Sequence, residues 1–159
     1  MSYKENRLVP AQQHHVQRLA DNMRPADVEE VRLSHGHSPL ESLSTALSLS
    51  PGSVLCETID GDPICMYGVA PIADKMGCPW LLGTPLMTKY RHFIALESLR
   101  HIKTMRENVF RLENWVHCDN IDSIKWLKWL GFTLHEAIPF GVGRALFHHF
   151  TMEGDLCAQ

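Results

Sequence analysis

The order in which hydrophobic periodicity changes along residues 54–134 constrains this chain most. Val54-Leu55-Cys56-Glu57-Thr58-Ile59 and Ile64-Cys65-Met66-Tyr67-Gly68-Val69 read as β-strands, with Asp60-Gly61-Asp62-Pro63 between them. An Asp-Gly pair between two such runs is a strong local signal for a hairpin. Cys78 to Gly83 reads as a third, short strand. The period then changes. Phe93, Leu96, Leu99, Ile102 and Met105 form an apolar stripe between Tyr90 and Asn108, which predicts a long amphipathic helix. Leu112 to Cys118 returns to strand, Asp119-Asn120 caps a helix over Ile121–Leu130, and Gly131 stops it. Phe132-Thr133-Leu134 opens a last β region that folds back through Pro139–Gly143 to Ala145–Met152. A hairpin followed by strand–helix–strand–helix–strand predicts a mixed, twisted sheet flanked by helices, an α/β (α+β) class.

The residues before this segment read as helical, over about 8–50. Val16, Leu19, Ala20 and Met23 recur at helical spacing and Pro25 interrupts them. Ala26 to Val31 resumes the helix, with acids in its first turn and Gly36 at its end. Ser38-Pro39 then supplies an N-cap and a first-turn proline for a helix that Pro51-Gly52 breaks. With 159 residues, the chain has the length of one domain, 1–159, whose sheet-and-helix core is 54–152. Residues 153–159 read as a loose polar tail.

Charge and cysteine content exclude several classes. A net charge of −3 argues against a general nucleic-acid binder. Five cysteines without a Cys-x-x-Cys pair fit neither a zinc site nor a disulfide framework, so they read as reduced, mostly buried apolar side chains. No apolar run approaches a membrane span, and Met1–Arg7 lacks the apolar stretch of a signal peptide. Ten histidines include His14-His15, His35-Gly36-His37 and His148-His149, none with an acidic or Cys partner at ligand spacing, so no metal site is expected.

The segment Asn120-Ile-Asp-Ser-Ile-Lys-Trp-Leu-Lys-Trp-Leu-Gly131-Phe132 resembles the late helix pattern Asn-x-x-Ala-x-x-Leu-Tyr-x-x-x-Gly-Phe of the GNAT (GCN-related N-acetyltransferase) superfamily. With the Asp-Gly hairpin, the resemblance covers about two-thirds of the chain, residues 54–150. The stretch Met23-Arg24-Pro25-Ala26-Asp27-Val28-Glu29-Glu30 with Ser38-Pro39-Leu40 resembles a narrower group, small GNAT-like internal virion (core) proteins of tailed bacteriophages.

The resemblance implies a site with three parts. The first is a Gln/Arg-x-x-Gly-x-Gly/Ala loop whose backbone amides cradle the CoA pyrophosphate. Here the region reads Gly83-Thr84-Pro85-Leu86-Met87-Thr88-Lys89-Tyr90-Arg91, with no glycine after Gly83 and a proline lacking an N–H. Should CoA bind, the resemblance assigns it to Leu86, Met87, Lys89, Arg91 and Asn120; Lys89 and Arg91 also read as a solvated basic helix start. The second is an acid tyrosine, at whose register Leu127 stands. The third is a general base, for which His117 and Glu57 are the candidates. His117 equally reads as a hydrogen-bonded strand histidine, and Glu57 as an exposed strand residue.

These departures favour a virion-associated or assembly protein on a GNAT scaffold with a degenerate acetyl-CoA site. Virion or host proteins, or a second copy of the chain, are then the expected partners, and host cytoplasm or virion the expected location. The alternative is an acyl-CoA-dependent N-acetyltransferase with an atypical cofactor loop. A third reading uses Trp115, Trp126 or Trp129 as an anchor for a host protein.

Overall fold

A computed structural model describes residues 6–156. Its seven strands are β1 (Asn6–Pro10), β2 (Val54–Thr58), β3 (Pro63–Ala73), β4 (Met76–Gly83), β5 (Arg111–His117), β6 (Thr133–Phe140) and β7 (Ala145–Glu153). The helices are α1 (Gln13–Asp21), α2 (Pro25–His35), α3 (Pro39–Leu49), α4 (Leu86–Lys89), α5 (Arg91–Arg106) and α6 (Ile121–Leu130). The strands form one sheet in the order β1-β2-β3-β4-β5-β7-β6. Only β4 and β5 pair in parallel; every other neighbouring pair is antiparallel.

The chain's periodicities place the layers. On one face Val16, Leu19, Val31 and Leu43 of α1–α3 pack over Leu55, Met66 and Leu82. On the other, Leu127 and Leu130 of α6 pack over Leu112, Val116 and Phe150, and α5 brings Ile94 against Tyr67. Ser38 caps α3 as expected, accepting a hydrogen bond from the Glu41 amide at 3.2 Å, and Gly36 and Gly131 end α2 and α6 in the left-handed region.

Three expectations are corrected. The N-terminal part is not wholly helical, because Asn6–Pro10 pairs with β2 as an edge strand. Its short stretch ends in proline, which edge strands tolerate and which masks the strand signal. A second tight hairpin joins β3 to β4 through Asp74-Lys75, with Lys75 at a φ of 59°. The tail is partly tied down: Glu153 ends β7, and the Gly154, Asp155 and Leu156 amides donate to Phe110, Arg106 and Val109 carbonyls. The rest of the tail, and the segment Met1–Glu5 of the signal-peptide reading, lie outside the described residues.

One proline decides where the sheet opens. The Thr84 amide donates to the Ile64 carbonyl, so by strand alternation Leu82 and Trp80 turn their backbone groups to β3, while Gly83, Leu81 and Pro79 turn theirs toward β5. Parallel pairing runs only through Met76–Arg111 and Gly77–Leu112. At the next position on that edge Pro79 has no N–H to donate, and the ladder stops. Asn114 Nδ2 reaches across to the Pro79 carbonyl at 2.8 Å, a side-chain strut where a main-chain bond would otherwise lie.

Candidate active site

Beyond that strut β4 and β5 diverge, and the gap becomes a cleft of about 630 Å3 that communicates with both faces of the sheet. Leu81 lines it, and by the alternation above its N–H and C=O face the opening. The next outward-facing residue, Gly83, is already engaged. Its amide donates to Asp27 Oδ2 at 2.9 Å, and its carbonyl accepts from the Arg24 amide at 2.9 Å. The start of α2 thus closes the end of β4.

Asp27 is 2% exposed and pairs with the Arg24 guanidinium at 2.9 Å. Arg24 continues the network to Ser123 Oγ at 2.7 Å and Asn120 Oδ1 at 3.2 Å. Asn120 stands at the N-cap of α6, yet its side chain makes no capping bond. It is buried and directed instead to Arg24 and, through Nδ2, to Glu30 Oε2 at 3.5 Å. The expected cap is therefore a tertiary tie between α6 and α2.

Glu30 is the carboxylate that sequence reasoning missed. It lines the cleft and accepts the His117 backbone amide at 2.6 Å. Burial pushes its carboxyl up to about 7; the His117 amide opposes the rise, Asp27 adds to it, and Asn120 and the more distant Arg24 guanidinium oppose it. No cation lies within ion-pair distance of it among the described residues. A carboxyl that titrates near neutrality in a cleft has the property a general base needs. In the sequence Glu30 reads as a first-turn helix acid, and nothing local distinguishes it from Glu29.

The two expected bases are placed elsewhere. Glu57 pairs with Arg7 at 2.9 Å across the β1–β2 register, on the far side of the sheet from the β4–β5 gap. His117 ends β5 beside the site; its amide holds Glu30, and its ring tilts against Phe147 at 5.2 Å between centroids. The strand ends there, so His117, Cys118 and Asp119 are gathered in a turn with donor atoms within 4.8 Å. Desolvation and the Asp119 carboxylate push the Cys118 thiol upward, which disfavours the thiolate that a nucleophile or a metal ligand requires.

Of the residues expected at a CoA phosphate site, Met87 and Arg91 line the cleft. Leu86 packs under α5, and the Lys89 ammonium lies 5.1 Å from the Tyr90 ring centroid. The loop has become the short helix α4. The Met87, Thr88 and Tyr90 amides donate to the Thr84, Pro85 and Leu86 carbonyls, so they are no longer an open cradle. Leu127, at the acid-tyrosine register, is buried among apolar side chains. The tyrosine that does line the cleft is Tyr67, whose hydroxyl burial holds in the protonated form. The His101 ring lies edge-on to it at 4.6 Å, and desolvation lowers that imidazole's pKa.

No protein-family model matches the sequence, and no curated protein does. The fold, by contrast, has solved counterparts. The spermidine N-acetyltransferase from Vibrio cholerae in complex with CoA and spermine superposes with a TM-score of 0.68 at 10% identity, covering 95% of this chain and 96% of that one. Ard1 from Thermoplasma volcanium gives 0.68 at 9% identity, covering 94% and 98%. The ribosomal-protein-S18-alanine N-acetyltransferase from Escherichia coli gives 0.62 at 13% identity, covering 97% of each chain. These counterparts lend no support to the phage-virion resemblance of the N-terminal segment. The strand order, the parallel pair that splays and the near-complete coverage by these structures together establish that this chain is a single domain with the GNAT fold.

Proposed function

We propose that this chain is an acyl-CoA-dependent N-acyltransferase with an atypical cofactor loop. The observation that carries the reading is the break in the sheet at Pro79, which opens a cleft with Glu30 in its wall. Leu81 offers a free strand edge there, so its N–H and C=O would hold an amide of the donor's pantetheine arm as an added strand does. Arg91, at the N-terminus of the sixteen-residue helix α5, would face the phosphates with its charge and the helix dipole behind it. The donor supplies the acyl group as a thioester. Glu30 takes the proton of the acceptor ammonium and frees its lone pair for attack on the acyl carbon. As the N–C bond forms the nitrogen gives up a second proton, and as the C–S bond breaks the departing sulfur takes one, so ammonium and thioester give amide, thiol and one proton that Glu30 returns to solvent. With leucine at position 127, Tyr67 is the phenol available to hydrogen-bond that sulfur.

A second reading, a non-catalytic scaffold of the virion-protein kind, is favoured by the loop amides already bonded within α4. One titration separates the two. A rise in melting temperature with millimolar acetyl-CoA, lost in Lys89→Ala with Arg91→Ala, supports the enzyme; at a hundredfold excess over Kd the expected gain is about 2.7 kcal/mol. No rise supports the scaffold. In the enzyme, Glu30→Gln should lower kcat/KM by about 10²–10⁴-fold while the protein stays folded, as measured by thiol release.

A further inference from the structure

The wall of the cleft on the α1–α3 face describes the molecule it would accept. Trp80 on β4 and Trp115 on β5 stand on the two lips of the gap, on the same face of the sheet. Each indole is held in place. Trp80 Nε1 donates to Ser50 Oγ at 2.8 Å, and Trp115 stacks on Phe140 at 4.1 Å with 9° between the planes. His149 continues the row, 4.7 Å from Trp115, and is itself fixed by Glu113 at 2.8 Å. Side chains locked this way have little conformational entropy left to lose on binding.

The charges lining the same cleft are few. Three carboxylates face it: Asp27, Glu30 and Asp122. Asp27 is consumed by Arg24, and Asp122 lies in the field of the same guanidinium. Glu30 feels that guanidinium too, but neither it nor Asp122 has a cation at ion-pair distance among the described residues; Asp122 is exposed, which leaves Glu30 as the inward carboxylate without an ion pair. Beyond Glu30, the rest of α2 and all of α3 contribute Ser34, His35, Ser42 and Thr45, and no further carboxylate. His35 is kept neutral by burial and by His37 beside it. One carboxylate between aromatic walls matches one ammonium on a flat apolar body. An acceptor with several ammonium groups would leave the others facing neutral side chains, where desolvation of an unpaired charge is costly.

We propose that the acceptor of this site is a primary monoamine carried on an aromatic or similarly flat apolar group, with Trp115 and Trp80 flanking the ring and Glu30 receiving the ammonium. This specificity rests on the acyl-transfer reading for its role in turnover, but binding of the amine can be tested without a donor. The probes are 2-phenylethylamine, tryptamine and spermidine, titrated into the full chain by calorimetry. The two aryl amines should bind at least tenfold more tightly than spermidine. Glu30→Gln should weaken them by tenfold or more, and Trp115→Leu by fivefold or more. Should Trp115→Leu lower the melting temperature, Phe140→Leu, which loosens the same stack from its far side, replaces it. Spermidine binding as tightly as the aryl amines, no aryl-amine binding at all, or affinities unchanged in these variants would overturn the proposal. Thiol release from acetyl-CoA separates the two levels. Aryl amines that bind without thiol release leave the specificity standing and defeat the acyl-transfer reading. Thiol release with spermidine and none with aryl amines does the reverse.

Discussion

Glu30 shows how one residue can be chemically unlike its neighbour on the same helix turn. Glu29 is exposed and paired with Arg32 at 2.6 Å, which lowers its pKa. Glu30, one position on, points inward and titrates near 7. The consequence for stability follows from proton counts. Between about 4.5, the ordinary carboxyl value, and about 7, folded Glu30 keeps its proton while the unfolded chain has released it. The folded state therefore binds more protons, and this group's contribution falls as pH rises through that window, then levels off. The full loss is about 3 kcal/mol at 1.36 kcal/mol per unit. Glu30→Gln removes the penalty, so calorimetry should find the variant gaining on the parent between pH 5 and 8, with the curves parallel above about pH 8. A parent that matches the variant at every pH would show that Glu30 is already ionised at pH 5. Sequence could not single this residue out, because a raised pKa is a property of what covers a side chain. It could single out Leu127, where one side chain in one register removes an acid whatever the surroundings.

At the scale of elements, α2 is what turns an opened sheet into an enclosed site. Its first turn binds the end of β4 through Arg24 and Asp27, and its last turn receives the β6–β7 hairpin. The hairpin tip docks by backbone contact: the Val142 and Gly143 amides donate to the Ser34 and Leu33 carbonyls, both at 3.2 Å. Gly141 makes the approach feasible. Its φ is +75°, and a Cβ there would lie 2.6 Å from the Ser34 carbonyl oxygen and 2.7 Å from its Cα. Gly141→Ala should therefore cost more than about 2 kcal/mol and speed hydrogen exchange at Val142 and Gly143. Gly143→Ala is the control: the nearest atom to its Cβ is a Leu33 methyl at 3.4 Å, and the cost should be smaller. Equal losses in the two variants would mean the docking contact is not what Gly141 protects. The hairpin between β6 and β7 was legible in the sequence, although Pro139 and Phe140 pair within β6 and the turn itself is residues 141–144; its landing place was not, because a glycine pattern marks backbone freedom and says nothing about which distant helix uses it.

Across the whole molecule, the polar network at the cleft joins parts that local signals treat as unrelated. Arg24 and Asp27 come from the N-cap and first turn of α2, Gly83 from β4, and Asn120 and Ser123 from the start of α6. Buried ion pairs of this kind are costly to break on one side, since the remaining charge is stranded. Asp27→Ala should accordingly lose about 3–5 kcal/mol in denaturant unfolding, with Arg24 left without its counter-charge and the Gly83 amide without its acceptor. A loss near 1 kcal/mol would show that water reaches the network. The same long-range economy explains Asn120. Read locally it is an N-cap; in the folded chain its amide is spent between Arg24 and Glu30.

The sequence alone determined the mixed sheet and its flanking helices, because alternation, helical stripes, capping residues and Asp-Gly turns act over a few residues and are written in order along the chain. It also determined what the site lacks, a glycine cradle and a tyrosine at position 127. Tertiary structure decided what the site has. Pro79 is visible in the sequence, but its effect depends on which strand its missing N–H would have faced. Glu30, Trp80 and Trp115 line one cleft only because α2 closes over the gap that proline opens. Burial, pairing and pKa are properties of neighbours, and those neighbours are brought together from segments as much as 99 residues apart.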